Sequence, residues 1–178
     1  MVRALGLFLA AISLAALACG SDSSEDATNT RTEMPDATAT LAPGLAGFSA
    51  TLERTECFGT CPSYVVTIRG DGTVLDEGRR FVEAVGERTA TVSADDVRRL
   101  VEAIEDIDYF SLDVPTVSAP EVCGATDAPG YATTIALGDM RRSIARCPNF
   151  EPNVLSGLED LIDEVAGTER WIGDRGLD

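Results

Sequence analysis

The chain contains no histidine and no lysine, so all fourteen of its basic residues are arginine. Histidine is the usual general base, the commonest metal ligand and the partner of nucleophilic serine or cysteine in many hydrolases. Its absence excludes each of those arrangements. The lack of lysine leaves arginine as the only side chain that supplies positive charge.

Positive charge is also scarce, because thirty aspartates and glutamates face the fourteen arginines and give a formal net charge of −16 at pH 7. Such a surface repels phosphate backbones and anionic lipid headgroups. We therefore expect no nucleic-acid binding and no membrane binding through the protein surface. A cationic partner is compatible with this charge, and so is the simpler explanation that an acidic surface keeps the chain soluble.

The N-terminal segment combines Arg3, an apolar run over residues 4–17 and small residues before Cys19, and it resembles a bacterial lipoprotein signal peptide. The run is shorter than the roughly 20 residues that a spanning helix needs. We expect residues 1–18 to be a cleaved signal peptide and Cys19 to carry the lipid, which is then the only membrane attachment. An ordinary secretory signal and an uncleaved anchor are the alternatives.

Residues 19–47 are rich in Ser, Thr, Asp, Ala and Pro. This composition is typical of a disordered tether, because it buries too little apolar surface to offset the entropy lost on ordering. Residues 48–172 suit one small domain, and residues 173–178 form a tail. We expect a monomeric domain anchored by lipid in the bacterial cell envelope. The outer membrane, facing the periplasm or the cell surface, is preferred to the inner membrane.

Four cysteines lie beyond the anchor, and an even number in an exported chain favours disulfides. They are Cys57, Cys61, Cys123 and Cys147. Of three possible pairings we expect Cys57 with Cys61, which is local in sequence, and Cys123 with Cys147, which a predicted hairpin brings together. A zinc site is one alternative, but the paired Cys-x2-Cys spacing of structural zinc is missing. A thiol redox site is another, but it would need Cys-x-x-Cys at a helix N-terminus.

The patterning predicts an α+β fold, a single small disulfide-stapled domain with a mainly antiparallel sheet of about five or six strands and two packed helices. Strands are predicted over residues 48–54, 64–68, 73–77, 131–137 and 140–147, with a further strand or an irregular hairpin within residues 81–92. The glycines around Asp71 and the Gly138-Asp139 pair predict tight turns.

Two helices complete the predicted fold. Ser93 is a suitable N-cap, Asp95 and Asp96 stand in the first turn, and the helix should reach about Ile107. The second helix should start at Pro152 and end at Gly167, after which Trp171 packs back. Its predicted core face consists of Val154, Leu155, Leu158, Leu161, Ile162 and Val165.

The loop over residues 109–130 is the expected functional surface, since a loop of this length is usually functional or disordered, and a disulfide at Cys123 argues against disorder. We expect it to act together with the segment that follows Cys57. The candidate binding surface consists of Phe58, Gly59, Thr60, Tyr64, Thr126, Asp127 and Pro129.

Two functions of different classes remain open. The first is a binding or scaffold module for an envelope protein or ligand whose identity the sequence does not give. The second is a carboxylate-based hydrolase, which would use two carboxylates as acid and base, drawn from Asp71, Asp76, Glu77 and Asp127. Calcium binding by the same acids is a weaker variant, because no twelve-residue loop with ligand spacing occurs. We expect no cofactor and no metal, and we assign no catalytic residue.

The segment C-F-G-T-C-P-x-Y over residues 57–64, followed by G-D-G-T-V over residues 70–74 and by Gly78, carries a family resemblance. With these motifs, roughly residues 50–171 resemble an uncharacterised family of bacterial, mostly lipoprotein, domains of unknown function. The family often has an aromatic residue at the position of Asp76. The resemblance implies the fold and an envelope location, and it supplies no activity.

Overall fold

The described part of the chain, residues 45–114, 128–147 and 154–173 of a computed structural model, is built on an antiparallel sheet. Its strands are β1 (Ser49–Arg54), β2 (Ser63–Arg69), β3 (Thr73–Arg80), β4 (Gly86–Thr91), β5 (Tyr131–Leu137) and β6 (Met140–Arg146). They lie in the order β4-β3-β2-β1-β5-β6, and every neighbouring pair is antiparallel. The predicted sheet of five or six strands is confirmed.

The alternation of buried and less buried residues along the strands shows which face of the sheet packs into the core. Tyr64, Val66 and Ile68 of β2 are fully buried, whereas the residues between them are half-buried. Because side chains alternate between the two faces of a strand, this places every second residue in the core. The turn between β2 and β3 uses Gly72, whose φ of 81° is readily adopted only by glycine.

The first helix, α1 (Ala94–Asp106), begins as the sequence predicts. The Ser93 hydroxyl accepts a hydrogen bond from the Asp96 backbone N–H at 3.1 Å, and the Asp96 carboxylate accepts one from the Ser93 backbone N–H at 3.3 Å. This reciprocal arrangement is a capping box. Val97, Leu100 and Ile104 form the buried stripe of the helix.

The second helix, α2 (Val154–Ala166), packs against α1 and contacts β1 and β2. Its predicted start at Pro152 lies outside the described residues, and its predicted end at Gly167, with φ of 64°, is confirmed. One core residue was wrongly predicted, because Val154 is 44% exposed. A short helix that was not predicted, α3 (Glu169–Ile172), follows and packs Trp171 against the core.

Two of the segments that connect strands and helices form hydrogen bonds with distant parts of the fold. Residues 81–85, considered as strand or hairpin, instead form a loop whose Ala84 N–H donates to the Trp171 carbonyl at 2.9 Å. The predicted functional loop starts with a single 3-10 turn, Tyr109–Ser111. Tyr109 in that turn is buried, and its hydroxyl donates to the Thr133 carbonyl at 2.7 Å. The start of that connection is therefore part of the core.

Candidate functional site

A disulfide closes the short loop between β1 and β2. Cys57 and Cys61 are bonded, with their Cα atoms 5.6 Å apart, as the sequence predicted. Between them Phe58 is 86% exposed, and Gly59 and Thr60 are exposed as well. The loop therefore presents a large aromatic side chain to solvent from a covalently closed base. We call residues 57–61 the Cys57–Cys61 loop.

The base of the Cys57–Cys61 loop meets the end of the long connection before β5. The Thr55 backbone N–H donates to the Gly130 carbonyl at 2.9 Å, and the Gly130 N–H donates to the Thr55 hydroxyl at 2.7 Å. Beside this contact, Glu56 forms an exposed ion pair with Arg80 at 2.6 Å. The two segments predicted to act together are thus adjacent at this end of the sheet.

The remaining residues of the predicted binding surface differ in whether the structure describes them and in whether they are exposed. Pro129, next to Gly130, is half-buried, whereas Thr126 and Asp127 lie outside the described residues. Tyr64 is a correction: it is fully buried, because the alternation of β2 turns its ring towards the core. Tyr64 is therefore not available to an external partner.

At the same end of the sheet, aromatic and cationic residues alternate across the strands. Tyr64 is the register partner of Arg54, Arg54 of Tyr131, and Tyr131 of Arg146. The guanidinium carbons of Arg54 and Arg146 each lie 4.8 Å from the centroid of the Tyr131 ring. Contacts at this distance are cation–π interactions, and they fix Tyr131 between two arginines.

Helix α2 supplies the negative charges for these arginines. Asp163 accepts hydrogen bonds from Arg54 Nη2 at 2.6 Å and from Arg54 Nε at 3.1 Å, and its other oxygen accepts one from the Tyr64 hydroxyl at 2.8 Å. Four residues earlier, Glu159 accepts a bond from Arg146 Nε at 2.9 Å and a shorter one from the same guanidinium. Two ion pairs one helical turn apart therefore hold α2 to the sheet.

Burial sets the protonation of this network. Desolvation would lower the pKa of Arg54, but the interactions of its guanidinium with Asp163, Tyr64 and Tyr131 together outweigh desolvation and raise that pKa above its ordinary value. Burial raises the pKa of the Tyr64 phenol, so that the hydroxyl stays protonated and donates to Asp163. Burial also raises the pKa of Glu159, against the opposing effect of Arg146.

This network was not predicted from the sequence, because acids in a helix are usually on its exposed face. Asp163 and Glu159 are only 4% and 1% exposed. The available signal was the spacing of Glu159 and Asp163, four residues apart among the apolar positions of α2.

The carboxylates considered for hydrolysis do not form a pair among the described residues. Asp71 lies in the exposed turn between β2 and β3, where its carboxylate accepts the Thr73 N–H at 2.9 Å, and this bond lowers its pKa. Asp76 and Glu77 are neighbours on β3 and point to opposite faces of the sheet. Asp127 lies outside the described residues. The geometry therefore does not favour the hydrolase alternative.

Asp76 has an unusual environment for a carboxylate. It is 3% exposed, its cross-strand neighbours are Val66 and Arg88, and neither of its oxygens has a hydrogen-bond partner among the described residues. Burial raises its pKa to about 6, with Arg88 opposing the change. An aromatic residue at this position would lie in the core.

Cys147, at the end of β6, is also disulfide-bonded, and the partner predicted for it, Cys123, lies outside the described residues. Within the described ranges, no group of three or more cysteine or acidic side chains is arranged to hold a metal ion. None of the helices in those ranges has the length and hydropathy to span a bilayer.

Comparison with known proteins gives one assignment. No curated protein matches the chain. Residues 49–166, more than half of the chain, match the family described as a domain of unknown function, DUF6438. The predicted membership in an uncharacterised family is confirmed, and the chain belongs to the DUF6438 family.

Proposed function

We propose that this chain is an envelope-anchored lipoprotein whose domain binds another envelope component through the Cys57–Cys61 loop. The observation that carries the proposal is Phe58, a large aromatic side chain that is 86% exposed at the tip of a loop closed by a disulfide. Aromatic residues dominate the energetics of protein interfaces. Single apolar residues are common on protein surfaces, so a recognition role for Phe58 also requires that the loop be held in a fixed conformation.

The loop is held on both sides of its base. The disulfide closes it covalently, and the two hydrogen bonds between Thr55 and Gly130 join it to the start of β5. A loop that is already ordered loses less conformational entropy when a partner binds, so more of the contact energy remains as affinity. This geometry supports a recognition role for Phe58.

The framework under the loop is ordered as well. Arg54 is the last residue of β1, immediately before the loop segment, and Asp163 holds it from helix α2. Tyr131 follows Gly130 directly, and two guanidinium groups hold its ring. Helix α2 therefore fixes both sides of the base of the loop. It holds Arg54 directly through Asp163, and it holds Tyr131 through the two arginines that its acids bind.

The net negative charge of the chain limits the kinds of partner that it can attract. The chain carries a formal net charge of −16, which disfavours nucleic acids and other polyanions. A cationic surface with an apolar pocket for Phe58 would combine attraction at long range with burial at the contact. We propose a partner protein or ligand of that kind in the envelope.

Replacing Phe58 with alanine should weaken partner binding by about thirtyfold, since a truncated interface anchor costs about 2 kcal/mol. Phe58→Trp should retain binding, because it keeps an aromatic surface. Val85→Ala, which truncates another exposed apolar side chain in the loop between β3 and β4, is the matched control and should not change it. The measurement is quantitative pull-down from solubilised membranes with the anchored chain as bait.

Two results of the same pull-down experiment would contradict this proposal. If Phe58→Ala recovers the same partner with the same affinity as the unmodified chain, the Cys57–Cys61 loop is not the binding surface. Equal losses in Phe58→Ala and Val85→Ala would also contradict a specific role for Phe58.

Replacing Cys19 with serine should move the protein from the membrane fraction to the soluble fraction. The reason is that acyl chains would supply all of the membrane affinity, at about 0.8 kcal/mol per buried methylene. Fractionation of cells that express each form measures this. A serine variant that still sediments with membranes and resists salt washing would contradict lipid anchoring at Cys19, without bearing on the role of Phe58.

A further inference from the structure

Within the described residues, the N-terminal half of β6 is an exposed sheet edge whose outward-facing backbone groups have no partner. β6 is the last strand of the sheet and pairs only with β5 within the described residues. A two-residue turn joins the strands, with Leu137 and Met140 as its closing pair. Because hydrogen-bonded pairs alternate along an antiparallel ladder, Arg142 turns its backbone N–H and C=O towards β5, whereas Arg141 and Ser143 turn theirs outwards.

An open groove runs along this edge. It has a volume of about 530 Å³, and its lining includes Phe110, Met140, Arg141, Arg142 and Ser143. Met140 is 50% exposed, and Phe110 packs partly against the core. The groove therefore offers outward backbone groups beside two apolar side chains. This combination fits an extended peptide, which uses backbone hydrogen bonds for affinity and side-chain contacts for specificity.

The groove is also positively charged, in contrast with the chain as a whole. Arg141 is exposed, and neither Arg141 nor Arg142 forms an ion pair within the described ranges. Arg142 instead donates to backbone carbonyls of residues 109–114, among them Phe110 at 2.8 Å and Leu112 at 2.5 Å. Because successive side chains of a strand point to opposite faces of the sheet and the Arg142 guanidinium is occupied by these carbonyls, Arg141 is the arginine available to a ligand, and it favours a ligand that brings a carboxylate.

We propose that this groove binds an extended acidic peptide segment of a partner protein, which adds to β6 as a further strand. The backbone of the peptide pairs with Arg141 and Ser143, a carboxylate lies against Arg141, and an apolar side chain on the other face of the peptide rests on Met140 and Phe110. The groove begins at the turn between β5 and β6, at the opposite end of those strands from Tyr131. It is therefore a second surface, independent of the Cys57–Cys61 loop.

The probe for this surface is a synthetic peptide of alternating valine and glutamate, eight residues long and blocked at both ends. Binding to the purified chain should protect the amide protons of Arg141 and Ser143 from exchange in nuclear magnetic resonance spectra. The inward amide of Arg142 should change little, since it is already paired with β5. A valine–lysine peptide of the same length should not bind.

Two variants separate charge from backbone pairing. Arg141→Glu should weaken binding of the valine–glutamate peptide by about tenfold or more, because it replaces attraction with repulsion. Arg69→Glu, at an exposed arginine on β2 that also lacks an ion pair in the described ranges, is the matched control and should leave binding unchanged. Ser143→Pro should abolish binding, because it removes an outward N–H from an edge strand, where proline is tolerated.

Several results would overturn the proposal. They are equal binding of the lysine peptide, protection of amides outside β6, and equal affinities for Arg141→Glu and Arg69→Glu. If the amides of Arg141 and Ser143 are protected before any peptide is added, another part of the same chain occupies the edge, and an external peptide is not its ligand. If Ser143→Pro does not fold, the affinity of Arg141→Glu for the valine–glutamate peptide still tests the proposal.

Discussion

Replacing Asp163 with alanine is expected to destabilise the domain by about 3 to 5 kcal/mol. The carboxylate is 4% exposed and binds the Arg54 guanidinium and the Tyr64 hydroxyl, and the Thr168 hydroxyl donates to it at 3.0 Å. Its removal leaves a largely buried positive charge and a buried phenol without their acceptor. Chemical denaturation at pH 7 measures the free energy of unfolding directly.

Asp160 provides the matched control for this variant. It lies on the same helix, 3.8 Å from the same guanidinium, but its side chain is 78% exposed. An exposed pair of this kind contributes little, so Asp160→Ala should change the free energy of unfolding by less than about 0.5 kcal/mol. Similar losses in the two variants would show that burial of the Asp163 pair does not stabilise the position of α2.

Replacing Asp76 with asparagine is expected to have the opposite effect and to stabilise the domain at pH 7 by up to about 3 kcal/mol. Burial without a hydrogen-bond partner raises the pKa of this carboxyl from its ordinary value of 3.8 to about 6. The charged form is therefore disfavoured in the folded state. Arg88, Glu77 and Asp163 are the charged groups that act on it, and only Arg88 favours ionisation.

The pH dependence of the Asp76 effect follows from the sign of the shift. The folded state binds the proton at higher pH than the unfolded state, so the stability contributed by this group rises as the pH falls from 7 through about 6. The advantage of Asp76→Asn should accordingly shrink towards pH 4. Glu77→Gln, on the neighbouring exposed position, should show neither effect. A constant difference between Asp76→Asn and the unmodified chain from pH 7 to pH 4 would contradict a buried, ionisable Asp76.

Local signals in the sequence were sufficient for most of the fold. The alternation of Tyr64, Val66 and Ile68 defined β2, the glycines around Asp71 defined its hairpin, and Ser93 with Asp96 defined the start of α1. Each of these depends on neighbouring residues alone. For that reason a single sequence predicts them well.

Tyr64 was assigned to the binding surface from its proximity to Phe58 in the chain, although the alternation of β2 places it on the buried face with Val66 and Ile68. The other residues that were misplaced or missed depend on distant contacts. Asp163 is 109 residues from Arg54 in sequence, and no local pattern indicates that the two meet. Asp76 resembled an ordinary turn or strand acid until its position opposite Val66 and Arg88 was known.

Photo-crosslinking from position 58 tests whether Phe58 contacts a partner in the envelope. A photoreactive phenylalanine analogue would replace Phe58 in the anchored chain, and in a parallel sample Val85, before irradiation of intact membranes. A discrete adduct is expected from position 58 only, and excess purified domain should suppress it whereas the Phe58→Ala domain should not. The same adducts from both positions, or no adduct from position 58 that the purified domain can suppress, would contradict it.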